Sequence, residues 1–565
     1  MKGSQAVIEC LKAEGVKHMF GILGGSIMEV YDVLYDTPES TLRHILMRHE
    51  QCAAHAAEGY ARVSGKPGVC IATSGPGATN LVTGIANAYM DSTPVIALTG
   101  QVASHLIGND AFQEADIIGI TMPITKDNFQ ITNPDDIPRT IKTAFKIATT
   151  RRQGPVLVDL PKDIQQRSLT DKFSYPKDVD LPGYKVIVSG GHPRQIKEAA
   201  KLLMNAERPM ILAGGGVIIS NASAELYKLA ASLGIPVATT LMGKGCFPED
   251  HPLALGMVGM HGRKYANMLL HDCDVLFAIG MRMDDRVASN VGYFVPKAKI
   301  IHSDIDPSEI GKNVDVDVPI VGDAKLVLKS VHDIVGKLKR KGNTEWHNRI
   351  KKFKKEFAIC YDYDDVPIKP QRVMKELNKL IDKKTIITTE VGTNQMFAAH
   401  YLNMKHPRTF ISSGGLGTMG AGFPFAIGAK VAKPDYTVID VASEGSFLMT
   451  CQDLATCVVE RIPVIVLLLN NRYLGMVRQW QDLFYNGRRS HTYLGEVPDF
   501  VKFAEAFNAK GIRVEKPGDI QPALKSAIKS GMPCIIDVQT DRDENIMPIV
   551  KPGGSLHEMI ENIVD

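Results

Sequence analysis

Several short runs of this chain are apolar almost from end to end: "GVCIAT" (68–73), "PVLVDLP" (155–161), "PMILAGG" (209–215), "VLFAIG" (275–280), "TIITTE" (385–390) and "PVIVLLLNN" (463–471). A strand with one face in water alternates apolar and polar residues, whereas a strand covered on both faces does not, so these runs point to parallel sheets buried under helices. Stretches such as "QIKEAAKLLMNA" (195–206) and "DFVKFAEAFNA" (499–509) repeat apolar residues at helical spacing between them. The alternation of strand and helix predicts an α/β fold of doubly wound parallel sheets.

At 565 residues the chain exceeds one ordinary hydrophobic core. Two polar stretches, 165–185 and the basic 337–357 leading to "VPIKPQ" (366–371), read as linkers. They divide the chain into blocks at 1–165, 186–336 and 366–565, each of common domain size. A net charge of +3 with 22% charged residues lacks the concentrated positive charge that nucleic acid or anionic lipid would attract, so neither partner is expected. Nine scattered cysteines without a CxxC pair read as buried thiols in a reducing compartment. The N-terminal "MKGSQAVIECLKAEGV" reads as an amphipathic helix, and no apolar run reaches membrane-spanning length, so the expectation is a soluble cytoplasmic protein.

Glycine turns follow strands in each block: "TSGPGATN" (73–80), "AGGGV" (213–217) and "SGGLGTMGAG" (413–422). Glycine lets backbone approach a ligand closely, and a following helix N-terminus favours an anion; tight strand-to-helix packing is the plainer reading of the same pattern. Gly415 to Gly420 matches G-x-G-x-x-G with Asp435 twenty residues on. The proline at 424 and the place of Asp435 before the next strand argue against a dinucleotide fingerprint. In "VIDVASEGSFLMTC" (438–451) a buried strand runs into Glu444, either a metal-ligating acid at a strand end or a stray one.

Longer motifs resolve more. "RHEQCAAHAAEGYARVSGKPGVCIATSGPGATN", "GNDAFQE", "GLGTMGAGFP" and "NNRYLGMVRQWQDLFYNGRRSHT" together resemble the catalytic-subunit family of acetohydroxyacid synthase, a group of thiamine-diphosphate enzymes, over nearly the whole chain. The resemblance implies a pyrimidine-binding, an FAD-binding and a diphosphate-binding domain in that order, and a homodimer or tetramer whose coenzyme lies between chains. A small regulatory subunit is a further implied partner. Glu50 in "RHEQ" aligns with the family's activating glutamate, whose carboxyl shares a proton with the aminopyrimidine ring. Gly24, Gly25, Val391, Gly392, Gly417, Met419, Gly445, Ser446 and Met476 align with coenzyme-binding positions, Gly417 through its carbonyl and Val391, Met419 and Met476 as the apolar residues that bend the coenzyme. For substrate the resemblance carries over Phe112, Gln113, Lys162, Arg286 and Trp480. Arg286 suits a keto-acid carboxylate because guanidinium forms paired charge-assisted hydrogen bonds, and Trp480 is the residue that narrows the acceptor pocket. FAD is implied at Gly214, Gly215, Gly216, Leu241, Met260, His261, Gly280, Arg282, Asp304 and Asp306, in a largely structural role.

The family's metal motif is Gly-Asp-Gly-Ser, with Asn-Asn about 27 residues after the Asp; here Glu444 and Asn471 are 27 apart. Glu444, Asn471 and the Tyr473 carbonyl are the implied Mg2+ ligands. Ala442, Ser443 and Glu444 stand where the family usually has Asp, Gly and Asp. One added methylene moves the carboxylate about 1.5 Å outward, while Mg2+ demands ligands near 2.1 Å. Serine at 443 also gives up glycine's access to positive φ. The Gly24-Gly25 pair survives in "GILGGS", where the family has "GYPGGA".

The implied reaction is decarboxylation of pyruvate and transfer of its two-carbon unit to a second 2-keto acid, pyruvate or 2-ketobutyrate. This is the first common step toward branched-chain amino acids. Two rival readings stand beside it. One is a flavin-dependent pyruvate oxidase, which the "GGSI" turn (24–27) resembles slightly better; the other is a catalytically silent homologue with an impaired metal turn.

Overall fold

The structure is a computed structural model that describes residues 1–186, 188–336, 340 and 342–561. Three six-stranded parallel sheets follow one another along the chain. The first holds β1 (His18–Gly21), β2 (Arg43–Leu46), β3 (Gly68–Ala72), β4 (Val95–Gln101), β5 (Asp127–Gln130) and β6 (Val156–Pro161). The second holds β7 (Pro209–Ala213), β8 (Val237–Thr239), β9 (Ala254–Met257), β10 (Val275–Ile279), β11 (Lys299–Asp304) and β12 (Val318–Val321). The third holds β13 (Thr385–Thr389), β14 (Phe410–Ser412), β15 (Thr437–Ala442), β16 (Val464–Asn470), β17 (Lys510–Val514) and β18 (Cys534–Gln539). The wholly apolar runs are the strands buried along their whole length: β3, β6, β7, β10, β13 and β16 have no exposed residue.

The first and third sheets share one strand order, β2-β1-β3-β4-β6-β5 and β14-β13-β15-β16-β18-β17. This duplication leaves no periodic trace in the sequence, because equivalent strands share burial and not residues. The middle sheet runs β12-β11-β10-β7-β8-β9, the order of a doubly wound dinucleotide fold. In each sheet the strand order reverses between two neighbouring parallel strands: β1 and β3, β7 and β10, β13 and β15. Ligand crevices open at the carboxyl ends of such pairs.

Helix α1 (Glu50–Ser64) starts where the His49 ring accepts the Gln51 N–H at 3.1 Å and stops at Gly65, φ 72°, a left-handed cap. Its small residues let helix α4 (Gly422–Ala432) approach closely: a Cβ on Gly59 would stand 2.3 Å from the Phe425 carbonyl oxygen. Through this contact the first and third units share one apolar core. Helix α2 (Val82–Met90) lies beside α1.

The polar stretch expected as a second linker is mostly helix α3 (Thr344–Glu356), whose Trp346 and Ile350 are buried against the middle unit. Charged residues on its remaining faces hide that apolar edge in the sequence. Residues 337–339 and 341 of the same stretch lie outside the described residues. Among the described residues no helix is long and apolar enough to cross a membrane, and the cysteines are free, all but Cys360 and Cys451 buried.

Candidate functional site

The residues singled out in the sequence lie at the carboxyl ends of the strands, in three groups. In the first unit Glu50 opens α1, and its Oε2 accepts the Asn80 side-chain N–H at 3.0 Å. Gly77 of the turn after β3 faces Oε1, 3.5 Å from where its Cβ would be. Gly24 packs on Thr73, leaving no room for a side chain, whereas Gly25 has open space around it. Ser26 ties the two turns together: its hydroxyl meets that of Thr73 at 2.9 Å and accepts the Ser74 N–H at 2.8 Å. Gln113, at φ 59°, lies against Gly75 of the same turn; Phe112 is 89% exposed, and Lys162 begins the short helix after β6.

The second group surrounds the reversal of the third sheet. After β13 come Glu390, Val391 and Gly392; after β15, Ser443 to Ser446; after β16, Asn471 to Tyr473. Glu444 is 2% exposed, and neither carboxyl oxygen has a hydrogen-bond partner. Burial pushes its carboxyl up to about 7, against the Asn471 and Arg472 amides, which approach without hydrogen-bond geometry. Asn471 Oδ1 accepts the Tyr473 N–H at 3.0 Å. A Cβ on Gly445 would stand 2.7 Å from Leu474 and 3.9 Å from Met419, so that turn is closely packed. Ser443 is extended, φ −121° and ψ 159°, so the expected need for a positive φ does not arise. Ser446 Oγ meets Ser443 Oγ at 2.9 Å. Gly417, φ +71°, is exposed with open space beside it, and Met476 packs on the core beneath.

The third group lies at the reversal of the middle sheet and reaches into the third unit. A Cβ on Gly214 would stand 2.3 Å from the Gly280 carbonyl, and one on Gly216 2.7 Å from Gly280 Cα. The Gly214 and Gly216 amides donate to Ile279 and Gly280, so close backbone packing accounts for both glycines. Gly215 lies against Met242, next to Leu241. Arg282 faces Asp284 at 3.6 Å; Asp304 holds the Asp306 N–H at 2.9 Å, and burial pushes its carboxyl up to about 6. Asp306 pairs with Arg152 of the first unit at 3.4 Å. Arg286 stands over the Trp480 ring at 6.0 Å and donates to Met260 Sδ at 3.1 Å. Trp480 belongs to helix α5 (Gly475–Phe484), so residues far apart in sequence meet here.

Family models match three parts of the chain: "Thiamine pyrophosphate enzyme, N-terminal TPP binding domain" at residues 1–120, the central domain of the same enzymes at 196–331, and their C-terminal TPP binding domain at 390–538. A "Probable acetolactate synthase large subunit" of Methanocaldococcus jannaschii is 57% identical, with 100% of this chain and 96% of the relative covered. Acetolactate synthase large subunits of Corynebacterium glutamicum and Buchnera aphidicola are 49% and 46% identical, covering 98% and 99% of this chain and 89% and 98% of theirs. The chain belongs to the acetolactate synthase large-subunit family.

For an acetolactate synthase large subunit the test is whether these residues fit coenzyme and ion. A buried carboxylate with both oxygens unpartnered is costly unless a cation or a proton meets it, and Glu444 meets that description. Among the described residues no group of three or more His, Cys, Asp or Glu side chains is arranged to hold a metal ion by itself. Asn471 and Tyr473, in the turn after the neighbouring strand β16, carry a side-chain amide oxygen and a backbone carbonyl, which with a carboxylate make the hard set that suits Mg2+ bound together with phosphate. In the middle unit the buried His261 Nε2, Thr239 Oγ1 and Ser303 Oγ also lack partners, as does Trp480 Nε1 on α5 against that unit, as a polar cofactor's cradle would require.

The acetolactate synthase motifs did not single out Glu390. It is buried at the end of β13, accepting the Gly420 N–H at 2.8 Å and the Phe423 N–H at 2.9 Å. Desolvation pushes it up to about 7 and the nearby Asp440 well above its ordinary range. A buried strand running into an acid is the signal that pointed to Glu444, and it applies equally to Glu390 in "TIITTE".

Proposed function

We propose that this chain makes 2-acetolactate from two molecules of pyruvate, or 2-aceto-2-hydroxybutyrate from pyruvate and 2-ketobutyrate, with thiamine diphosphate, Mg2+ and FAD. The observation that carries the reading is Glu444, buried without partners at the point where the strand order of the third sheet reverses, in a member of the family. Glu444, Asn471 and the Tyr473 carbonyl hold Mg2+ and with it the diphosphate, in a turn that Gly445 and Ser446 close. When bound, thiamine diphosphate supplies an electron sink for the carbon that loses CO2. Glu50 Oε1, free of the Asn80 bond, is the carboxyl oxygen that would face the aminopyrimidine ring. Val391, Met419 and Met476 would exclude water around the coenzyme, and Gly392, the Gly417 carbonyl and, from a second chain, the Gly24-Gly25 turn would help to hold it.

Arg286 binds the substrate carboxylate, and Trp480 beside it limits the acceptor's size; Gln113, Phe112 and Lys162 close the site from the first unit of the partner copy. A homodimer or tetramer follows from that division, and exposed Leu23, Met28, Phe112, Leu416 and Met449 supply apolar surface for it. The "large subunit" of the relatives' names makes a small regulatory subunit a further partner. Gly215, Leu241, Met260, His261, Arg282 and Asp304 of the middle unit would hold FAD, and Gly214, Gly216 and Gly280 shape the backbone there. The functional units are taken as 1–165, 186–336 and 366–565, in the cytoplasm.

Incubation with pyruvate, thiamine diphosphate, Mg2+ and FAD, assayed for acetolactate against acetate and peroxide, is the test. Acetolactate as the product supports the reading. Acetate with peroxide would instead make the chain a pyruvate oxidase, and no coenzyme binding at millimolar Mg2+ would make it a silent homologue.

A further inference from the structure

The glycine turn between β14 and α4 is held from outside by the first unit. Arg62, in the last turn of α1, donates to the Ser412 carbonyl at 2.7 Å. Asn87 of α2 accepts the hydroxyls of Ser413 at 2.6 Å and Thr418 at 2.9 Å through one oxygen. Asp91, which ends α2, accepts the Gly414 N–H at 3.1 Å and the Gly415 N–H at 2.7 Å. Ser413 Oγ closes the ring by accepting the Thr418 N–H at 2.9 Å. Behind this row Asn87 donates to the wholly buried Glu58 at 2.8 Å, and Arg62 lies 3.6 Å from Glu58 and 3.5 Å from Asp91.

A turn with glycines at 414, 415 and 417 has little stiffness of its own, since glycine loses the most backbone freedom on ordering. Here its polar groups are bonded on both sides of Gly417, to Asp91 before it and to Asn87 after it. Bonds from backbone N–H to a carboxylate are among the stronger ones, and these lie in a buried setting. Such a pattern fixes where the Gly417 carbonyl and Met419 stand, although no group of α2 is itself aimed at them.

We propose that Asn87 and Asp91 are positioning residues for the coenzyme: by clamping the turn 413–418 they hold Gly417 and Met419 in the one arrangement that receives thiamine diphosphate. The inference deepens the function proposed above and rests on it.

Asp91→Asn and Ser413→Ala, each in the full-length protein, are titrated with thiamine diphosphate and Mg2+ by calorimetry well below their unfolding midpoints, which are measured without ligand. Each variant should bind the coenzyme about tenfold more weakly while remaining fully folded, the loss expected for one charge-assisted or two neutral hydrogen bonds. Ser413→Ala decides the matter if Asp91→Asn fails to fold. A lowered midpoint with wild-type affinity would make the network mere glue between units and overturn the inference alone. No binding by the unsubstituted protein would overturn the functional reading and this inference with it.

Discussion

Gly428 of α4 lies against the carbonyl of Ala56 on α1 so closely that a Cβ on residue 428 would stand 1.8 Å from that oxygen. The contact is backbone to backbone, so no side chain can swing aside to relieve it. Gly428→Ala is expected to destabilise the protein by roughly 2–3 kcal/mol, the cost of overpacking a closed helix pair. Gly518→Ala, where a Cβ meets open space, is the control. Denaturant midpoints measure both, and equal midpoints would mean that the helices can part without loss.

His55 sits in the same interface, fully buried, with neither ring nitrogen hydrogen-bonded. Glu58 lies 4.0 Å from it, but burial raises that carboxyl to about 8, so below neutrality it is protonated and gives no ion pair. Desolvation alone lowers the His55 ring to about 3. The unfolded chain therefore binds a proton near 6.5 that the folded chain refuses until about 3. The His55 contribution to stability falls as pH drops below 6.5, by roughly 2 kcal/mol at pH 5, opposite in sign to that of the raised Glu58 carboxyl. His55→Leu removes that loss, so the variant gains on the wild type between pH 7 and pH 5 in thermal unfolding. A pH-independent difference would show that the ring is reached by solvent.

The strands were legible because burial on both faces leaves a plain mark, as "VLFAIG" and β10 show. The meeting of Arg286 with Trp480 was not, since it depends on how α5 docks on the middle unit and no local pattern encodes that. Asn87 and Asp91 lie in "GIANAYMDSTP", where nothing separates a clamp from a solvated helix end. α3 was misjudged because a helix needing only Trp346 and Ile350 for anchorage can spend its other positions on lysine and arginine. Glu444 was legible as an acid at a strand end, but the lack of a well-formed hydrogen bond to either oxygen is a property of the packed turn.

That lack gives Glu444→Gln two opposed consequences. Without metal a neutral amide replaces an unpaired buried acid, so ligand-free stability should be unchanged or higher. With Mg2+ present, thiamine diphosphate should bind at least about a hundredfold more weakly, since an amide oxygen is a far poorer partner for a dication than a carboxylate. Calorimetry with and without Mg2+, beside unfolding midpoints, reads both effects. A variant that keeps metal-dependent coenzyme binding would remove Glu444 as a ligand.

Arg286 offers a sharper test of the substrate side. Its guanidinium is half-exposed, 54%, yet is bracketed by the Trp480 ring and Met260 Sδ, which orient it without neutralising it. Among the described residues only Asp285, at 3.7 Å, competes for its charge. Such a group can grip a keto-acid carboxylate in a paired arrangement that a lysine ammonium cannot reproduce. Arg286→Lys should raise KM for pyruvate by about ten- to thirtyfold, while thiamine diphosphate affinity stays as in the wild type. Steady-state kinetics at saturating coenzyme, paired with calorimetry, separates the two. An unchanged KM would move the carboxylate site elsewhere, whereas equal losses in KM and coenzyme affinity would make the arginine part of the packing between α5 and the middle unit.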